Sequence, residues 1–187
     1  MSTIPSLKDV SHLYKAHQAL TQGTADPEHV IHQLPDSLRQ RIQNLSPPQE
    51  PSRSRQLLLS IRDLTHEIYS SESNEVKAKI HGVFYKCCGV SNSGGREWGE
   101  NHINDYDKID SLLKSLEIIS VEKEVLAWAA ADPNHKFAAQ QIMRFMSSQD
   151  SEYNFLNLSR LNLTSLPDIF DNTEMNNRLA NLELSDN

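Results

Sequence analysis

The chain has 187 residues, room for one ordinary domain or one domain plus part of another. Its 25 acidic and 18 basic residues leave a formal charge of −7, which speaks against the basic surface that phosphate contacts require, so no nucleic-acid partner is expected. No run of about 18 apolar residues offers a membrane span, and Met1 to Leu20 holds no continuous apolar stretch of the kind a Sec-type signal needs. The two cysteines, Cys87 and Cys88, are adjacent and cannot staple distant segments.

Apolar spacing predicts helices over roughly the first 150 residues. Asp26 and Pro27 read as an N-cap and a first-turn proline ahead of Val30, Ile31, Leu34, Leu38 and Ile42, with Pro35 breaking that stretch in two. The prolines of 46–52 read as a stiff connector. Leu57, Ile61, Leu64 and Ile68 then fall on one helical face, and Val76, Ile80, Val83 and Phe84 on a second. Residues 89–99, rich in Gly, Ser and Asn, read as a loop. Ile109, Leu112, Leu113 and Leu116 mark a further helix, and Val121 to Ala131 a short separate one. Asp132-Pro133-Asn134 then opens a last helix carrying Ala138, Ile142, Phe145 and Met146.

The period changes near residue 150. Leu156, Leu158, Leu161, Leu163 and Leu166 alternate steps of two and three, which is not helical. The closing segment Leu179-Ala180-Asn181-Leu182-Glu183-Leu184-Ser185-Asp186-Asn187 fits L-x-x-L-x-L-x-x-N, the leucine-rich-repeat pattern. Leu156 and Leu182, Leu158 and Leu184, and Leu161 and Asn187 are each 26 residues apart, within the 20–29 of that repeat. The fold expected is therefore mainly α: a multi-helix domain over 1–150, then the start of a leucine-rich-repeat (α/β solenoid) over 151–187, with the helix at 134–147 as its cap.

In such coils Leu156, Leu158, Leu161, Leu163, Leu166, Leu179, Leu182 and Leu184 form the repeat core. Asn187 falls where an asparagine amide bonds the backbone of neighbouring turns. Asn157 and Glu183 would point to the concave face, the candidate binding surface. The first repeat has Leu161 in place of the asparagine, as terminal repeats often do. Two repeats do not make a stable solenoid alone, so the sequence reads as the front of a longer protein.

Leu126-Ala127-Trp128, Asp132-Pro133, Ala138-Ala139 and Ile142-Met143-Arg144, followed by Leu156-Asn157-Leu158 and Leu161 to Pro167, resemble the cap-to-repeat junction of bacterial leucine-rich-repeat effectors. These include the secreted ubiquitin-ligase effectors of the invasion-plasmid-antigen class and repeat proteins of chlamydia-like bacteria. The resemblance covers about a third of the chain. It implies a cap of Trp128, Ala138, Ile142 and Phe145, secretion by a non-Sec route into a host cell, and recognition of a eukaryotic host protein. Its alternative is the substrate-recognition front end of a ubiquitin ligase whose catalytic domain lies beyond Asn187. Asp132-Pro133 departs from the family's Ala-Pro, and His135-Lys136 is all that stands for its arginine-rich stretch.

No catalytic residue, cofactor or metal site is expected. Cys87-Cys88 beside Lys86 lacks acid–base partners in sequence and reads as two small apolar residues. His29 and His32 are too few for a metal, and His12 and His17 lie on different helix faces. Asp105, Asp107 and Asp110 miss the glycine and final glutamate of a calcium loop, so Asn104 or Asp105 reads as an N-cap. Gly94-Gly95-Arg96 is a turn with no Lys-Ser/Thr pair after it, Trp98 a candidate exposed anchor, and Trp128 a core residue.

Overall fold

The computed structural model describes residues 5–23, 25–45, 53–88, 106–148 and 152–187. The expected connector at 46–52, the loop at 89–99 with Gly94, Gly95 and Trp98, and the N-cap at Asn104 or Asp105 lie outside the described residues, as do the side chains of Cys87 and Cys88. The structure is mainly helical. It divides into two compact units, one up to Leu116 and one from Glu117 onward. That division falls earlier in the chain than residue 150, where the leucine spacing changes.

In the first unit a 3-10 turn, Leu7–Asp9, leads into α1 (Val10–Gln22), followed by α2 (Pro27–His32), α3 (Asp36–Leu45), α4 (Arg53–Ser71), α5 (Asn74–Cys88) and the first half of α6 (Tyr106–Ala131). Ser6 N–H donates to the Asp9 carboxylate at 2.7 Å at the entry. Gly23 ends α1 at φ 63°, a left-handed conformation that glycine adopts without steric cost, and its N–H reaches the Ala19 carbonyl. Pro35 separates α2 from α3, since its ring cannot sit inside a helix. Helix α1 contacts α2 and α4, and α3 contacts α4. Val10, Leu13, Leu38, Ile42, Leu57, Ile61, Leu64, Ile68, Ile80 and Leu112 are buried in the unit. Helix α1 carries Val10, Leu13, Tyr14, His17 and Leu20 on its buried face, a helical period the sequence reading left unassigned. Arg41 of α3 pairs with Glu67 of α4, and Arg53 with Glu28 at 2.9 Å.

Helices α4 and α5 meet at Tyr69 and His81. Their rings stack at 5.7 Å, the Tyr69 hydroxyl is hydrogen-bonded to His81 Nε2, and Lys77 Nζ lies 5.5 Å from the Tyr69 ring centre. Burial, and then the Lys77 charge, hold the His81 pKa below its ordinary value. The unfolded chain therefore binds a proton that the folded one resists. The contribution of His81 to stability is full above about pH 6.5 and is lost as the pH falls from there towards the lower folded value. Thermal melts at pH 7.5 and 5.5 should show an acid-induced fall in Tm that shrinks when His81→Gln removes the titration. An unchanged fall would show that this contact is not acid-sensitive.

In the second unit α6 continues without a break to Ala131, correcting the expectation of two helices over 109–116 and 121–131. Glu117, which looked like a polar interruption, is fully buried. The unit continues with α7 (His135–Ser147), β1 (Phe155–Asn157), the short α8 (Thr173–Arg178) and β2 (Asn181–Glu183). Asp132 shapes the turn before α7 by accepting the Asn134 N–H at 2.9 Å. Val121 and Val125 of α6 join Ala138, Ala139, Ile142, Phe145 and Met146 of α7, Leu156, Leu158, Ile169 and Met175 in one buried cluster. Trp128 packs at its margin, stacked on His135 at 4.0 Å, and its indole N–H donates to Ser165 Oγ at 3.2 Å. Ala138, Ile142 and Phe145 thus lie in the same core as the strand leucines, with Trp128 half-buried beside them.

Helix α8 is too short to persist by itself and depends on tertiary contacts. Asn172 caps it, its side chain accepting the Met175 N–H at 3.1 Å. The Glu117 carboxylate accepts the N–H groups of Thr173 and Glu174 at 3.2 and 2.8 Å, and Asn172 Nδ2 donates to the Glu117 carbonyl at 3.3 Å. Negative charge at a helix start is favourable, and the buried carboxylate satisfies two otherwise orphaned donors. Arg178 closes the helix, donating to Glu174 at 2.8 Å and to the Ser148 carbonyl at 2.7 Å.

Candidate protein-binding face

Strands β1 and β2 pair in parallel, with Phe155 opposite Asn181, Leu156 opposite Leu182 and Asn157 opposite Glu183. Each pair is 26 residues apart, the offset at which the leucines recur. The ladder extends past the strands, with Leu158 N–H to the Glu183 carbonyl at 2.9 Å and Arg160 N–H to the Ser185 carbonyl at 3.0 Å. Before the strands, the Asn154 carbonyl accepts from Ala180 and Asn181. Alternation along a strand then sorts the side chains. Leu156 is buried and Leu182 half-buried, while Phe155, Asn157, Asn181 and Glu183 are exposed.

The two coils turn alike. Arg160 and Asp186, also 26 residues apart, both sit at φ 59°, and their side chains pair at 3.2 Å in solvent, where such a pair contributes little. Asn157 Oδ1 accepts the Ser159 N–H at 2.9 Å as β1 ends. Asn187 Oδ1 accepts the N–H groups of Leu161 and Leu163, at 2.9 and 3.3 Å, in the earlier coil. Its Nδ2 donates to the Leu158 carbonyl at 2.8 Å and the Leu184 carbonyl at 2.9 Å. One amide thereby serves four backbone groups that no ladder reaches.

The proposed repeat-core residues are not equally buried. Leu156 and Leu158 are in the core, and Leu161, Leu163, Leu179 and Leu182 pack against it half-exposed. Leu166 and Leu184 are exposed, each at 38%, against the expectation that they fill the core. Leu166 precedes Pro167, and it is Pro167 and Ile169 that turn inward there. Leu184 is the counterpart of Leu158 one coil on, and no described coil covers its far side.

Asn157 and Glu183 lie on the exposed face, paired across the two strands. Sequence reasoning missed the aromatic part of that face. Phe155 stands two residues before Asn157 and is 43% exposed, and Tyr153 is 42% exposed with its ring 5.9 Å from that of Phe145. The two-residue strand period would have placed Phe155 there. Glu183 accepts the Ser185 hydroxyl at 2.9 Å and is the one charged residue among the four strand positions. From Glu117 onward the sequence holds 11 acidic and 5 basic residues, a formal charge of −6.

The face offers shape and aromatic area, and no constellation for bond-making. Among the described residues no group of three or more His, Cys, Asp or Glu gathers as a metal site, and no helix is long and apolar enough to cross a membrane. His29 meets Gln33, its Nε2 at 3.0 Å from the amide nitrogen. Comparison with family models, curated proteins and solved structures finds no match for this chain.

Proposed function

We propose that the chain is a protein–protein interaction module in which the segment from β1 to Asn187 forms the first two coils of a leucine-rich-repeat solenoid and α7 caps them. The observation that carries this reading is the in-register parallel pairing of β1 and β2, with Asn187 bonding both coils. The binding surface is the outer strand face, where Phe155 and Tyr153 supply rigid apolar area and Asn157, Asn181 and Glu183 a polar surround. Aromatic anchors ringed by polar groups are what protein interfaces concentrate. The resemblance of the cap and coils to bacterial effectors supports a eukaryotic host protein as the partner.

The test uses the full chain immobilised and exposed to eukaryotic cell extract, with each captured protein then titrated as a purified component. A true partner should lose at least about tenfold in affinity for Phe155→Asp, the scale of a central aromatic anchor. It should bind normally to Phe137→Ser, an exposed change on α7. Equal binding by the Phe155→Asp variant would overturn the assignment of the face.

A further inference from the structure

The first unit contains a cleft of about 570 Å³ between the C-terminal half of α1, α4 and the first half of α6. His17, Gln18, Leu20 and Thr21 line it from α1, Leu58 from α4 and Asp110 from α6. His17 is 1% exposed, yet neither ring nitrogen has a hydrogen-bond partner. Buried polar groups are nearly always satisfied, so an orphaned imidazole in a cleft wall calls for a missing partner. Its Nδ1 stands 3.6 Å from Asp110 Oδ1, beyond hydrogen-bond reach, and the Asp110 side chain is 41% exposed.

We propose that this cleft binds a primary alkylammonium ion. The lining is rich in acceptors: the Asp110 carboxylate, the amide oxygen of Gln18, and Thr21 Oγ1, which already spends its proton on the His17 and Gln18 carbonyls. It contains no lysine or arginine among the described residues, so an anion would find no counter-charge. Two ligands, His17 and Asp110, are too few for a metal ion. An ammonium nitrogen has three donors and can hydrogen-bond Asp110 Oδ1 and the free lone pair of a neutral His17 together, because a 3.6 Å gap suits a donor about 2.9 Å from each. The alkyl body then lies on Leu20 and Leu58, both 7% exposed.

The probe is n-butylamine, with n-butanol as the uncharged comparator, titrated into the full chain and followed by NMR of the assigned histidine rings. Butylamine should saturate, move the His17 ring resonances, and bind at least tenfold more tightly than butanol. The Asp110→Asn variant, at a half-exposed position where folding should persist and circular dichroism can check it, should lose that tenfold preference. A second variant, Asp110→Lys, places an ammonium of its own at the cleft and should block butylamine altogether. Equal binding of butanol, shifts that avoid His17, no saturable binding, or full binding by both variants would each overturn the proposal.

Discussion

Replacing Phe145 by alanine is expected to cost the second unit about 3–5 kcal/mol, the range for emptying a buried phenylalanine site. Phe145 is 1% exposed and lies in one cluster with Val121 and Val125 of α6, Leu156 and Leu158 of the first coil, and Met175 of α8. The cavity would open where the cap meets the coils, and helices held on two sides collapse poorly into such a space. Tyr153, whose ring lies 5.9 Å from that of Phe145, would lose its support as well. Guanidinium denaturation followed by Trp128 fluorescence, in a Trp98→Phe background, reads the second unit. A loss under about 1 kcal/mol would show that α7 is not the cap on which the coils rest.

Glu117→Leu should act nearly as strongly and more locally. It removes a buried carboxylate and leaves the N–H groups of Thr173 and Glu174 without acceptors at the start of a six-residue helix. Unsatisfied buried donors cost about 1–3 kcal/mol each, so a loss of about 3 kcal/mol and a fall in Tm of about 10 °C are expected. The signature is in the pattern. Amide exchange at Met175 and Leu179, at the core of α8 and its end, should accelerate more than at Leu13 or Leu64 in the first unit. Uniform acceleration across the chain would mean that Glu117 supports general packing instead of holding α8.

The contrast between these two residues shows what the sequence could reveal. Phe145 falls on a helical period with Ala138, Ile142 and Met146, and periodicity depends on neighbours three and four residues away. Glu117 owes its burial to donors more than fifty residues further on. Nothing local marks it as a cap, so it reads as a polar gap between two helices. The strand register was legible because repeated coils carry the same leucines at the same interval, and the backbone pairs at that interval. Helix α8 has a readable N-cap in Asn172, but six residues without an apolar stripe give no period to find. Leu166 and Leu184 were misplaced because spacing locates a residue on a coil but does not say what covers it. The face was half-legible: Asn157 and Glu183 follow from the repeat pattern, whereas Phe155 precedes the first patterned leucine and was passed over.

The central claim is that the two C-terminal segments stack as successive coils through parallel strands and Asn187. Backbone NMR of the full chain tests it most directly, through contacts between Leu156 and Leu182 and the exchange protection of the Leu158, Leu161 and Leu163 amides. The account predicts interstrand contacts at the 26-residue offset and slow exchange at all three amides, with Leu161 and Leu163 losing protection in Asn187→Ala while Leu158 keeps its bond to Glu183. Absent interstrand contacts, or three amides that exchange freely in the unaltered chain, would contradict it.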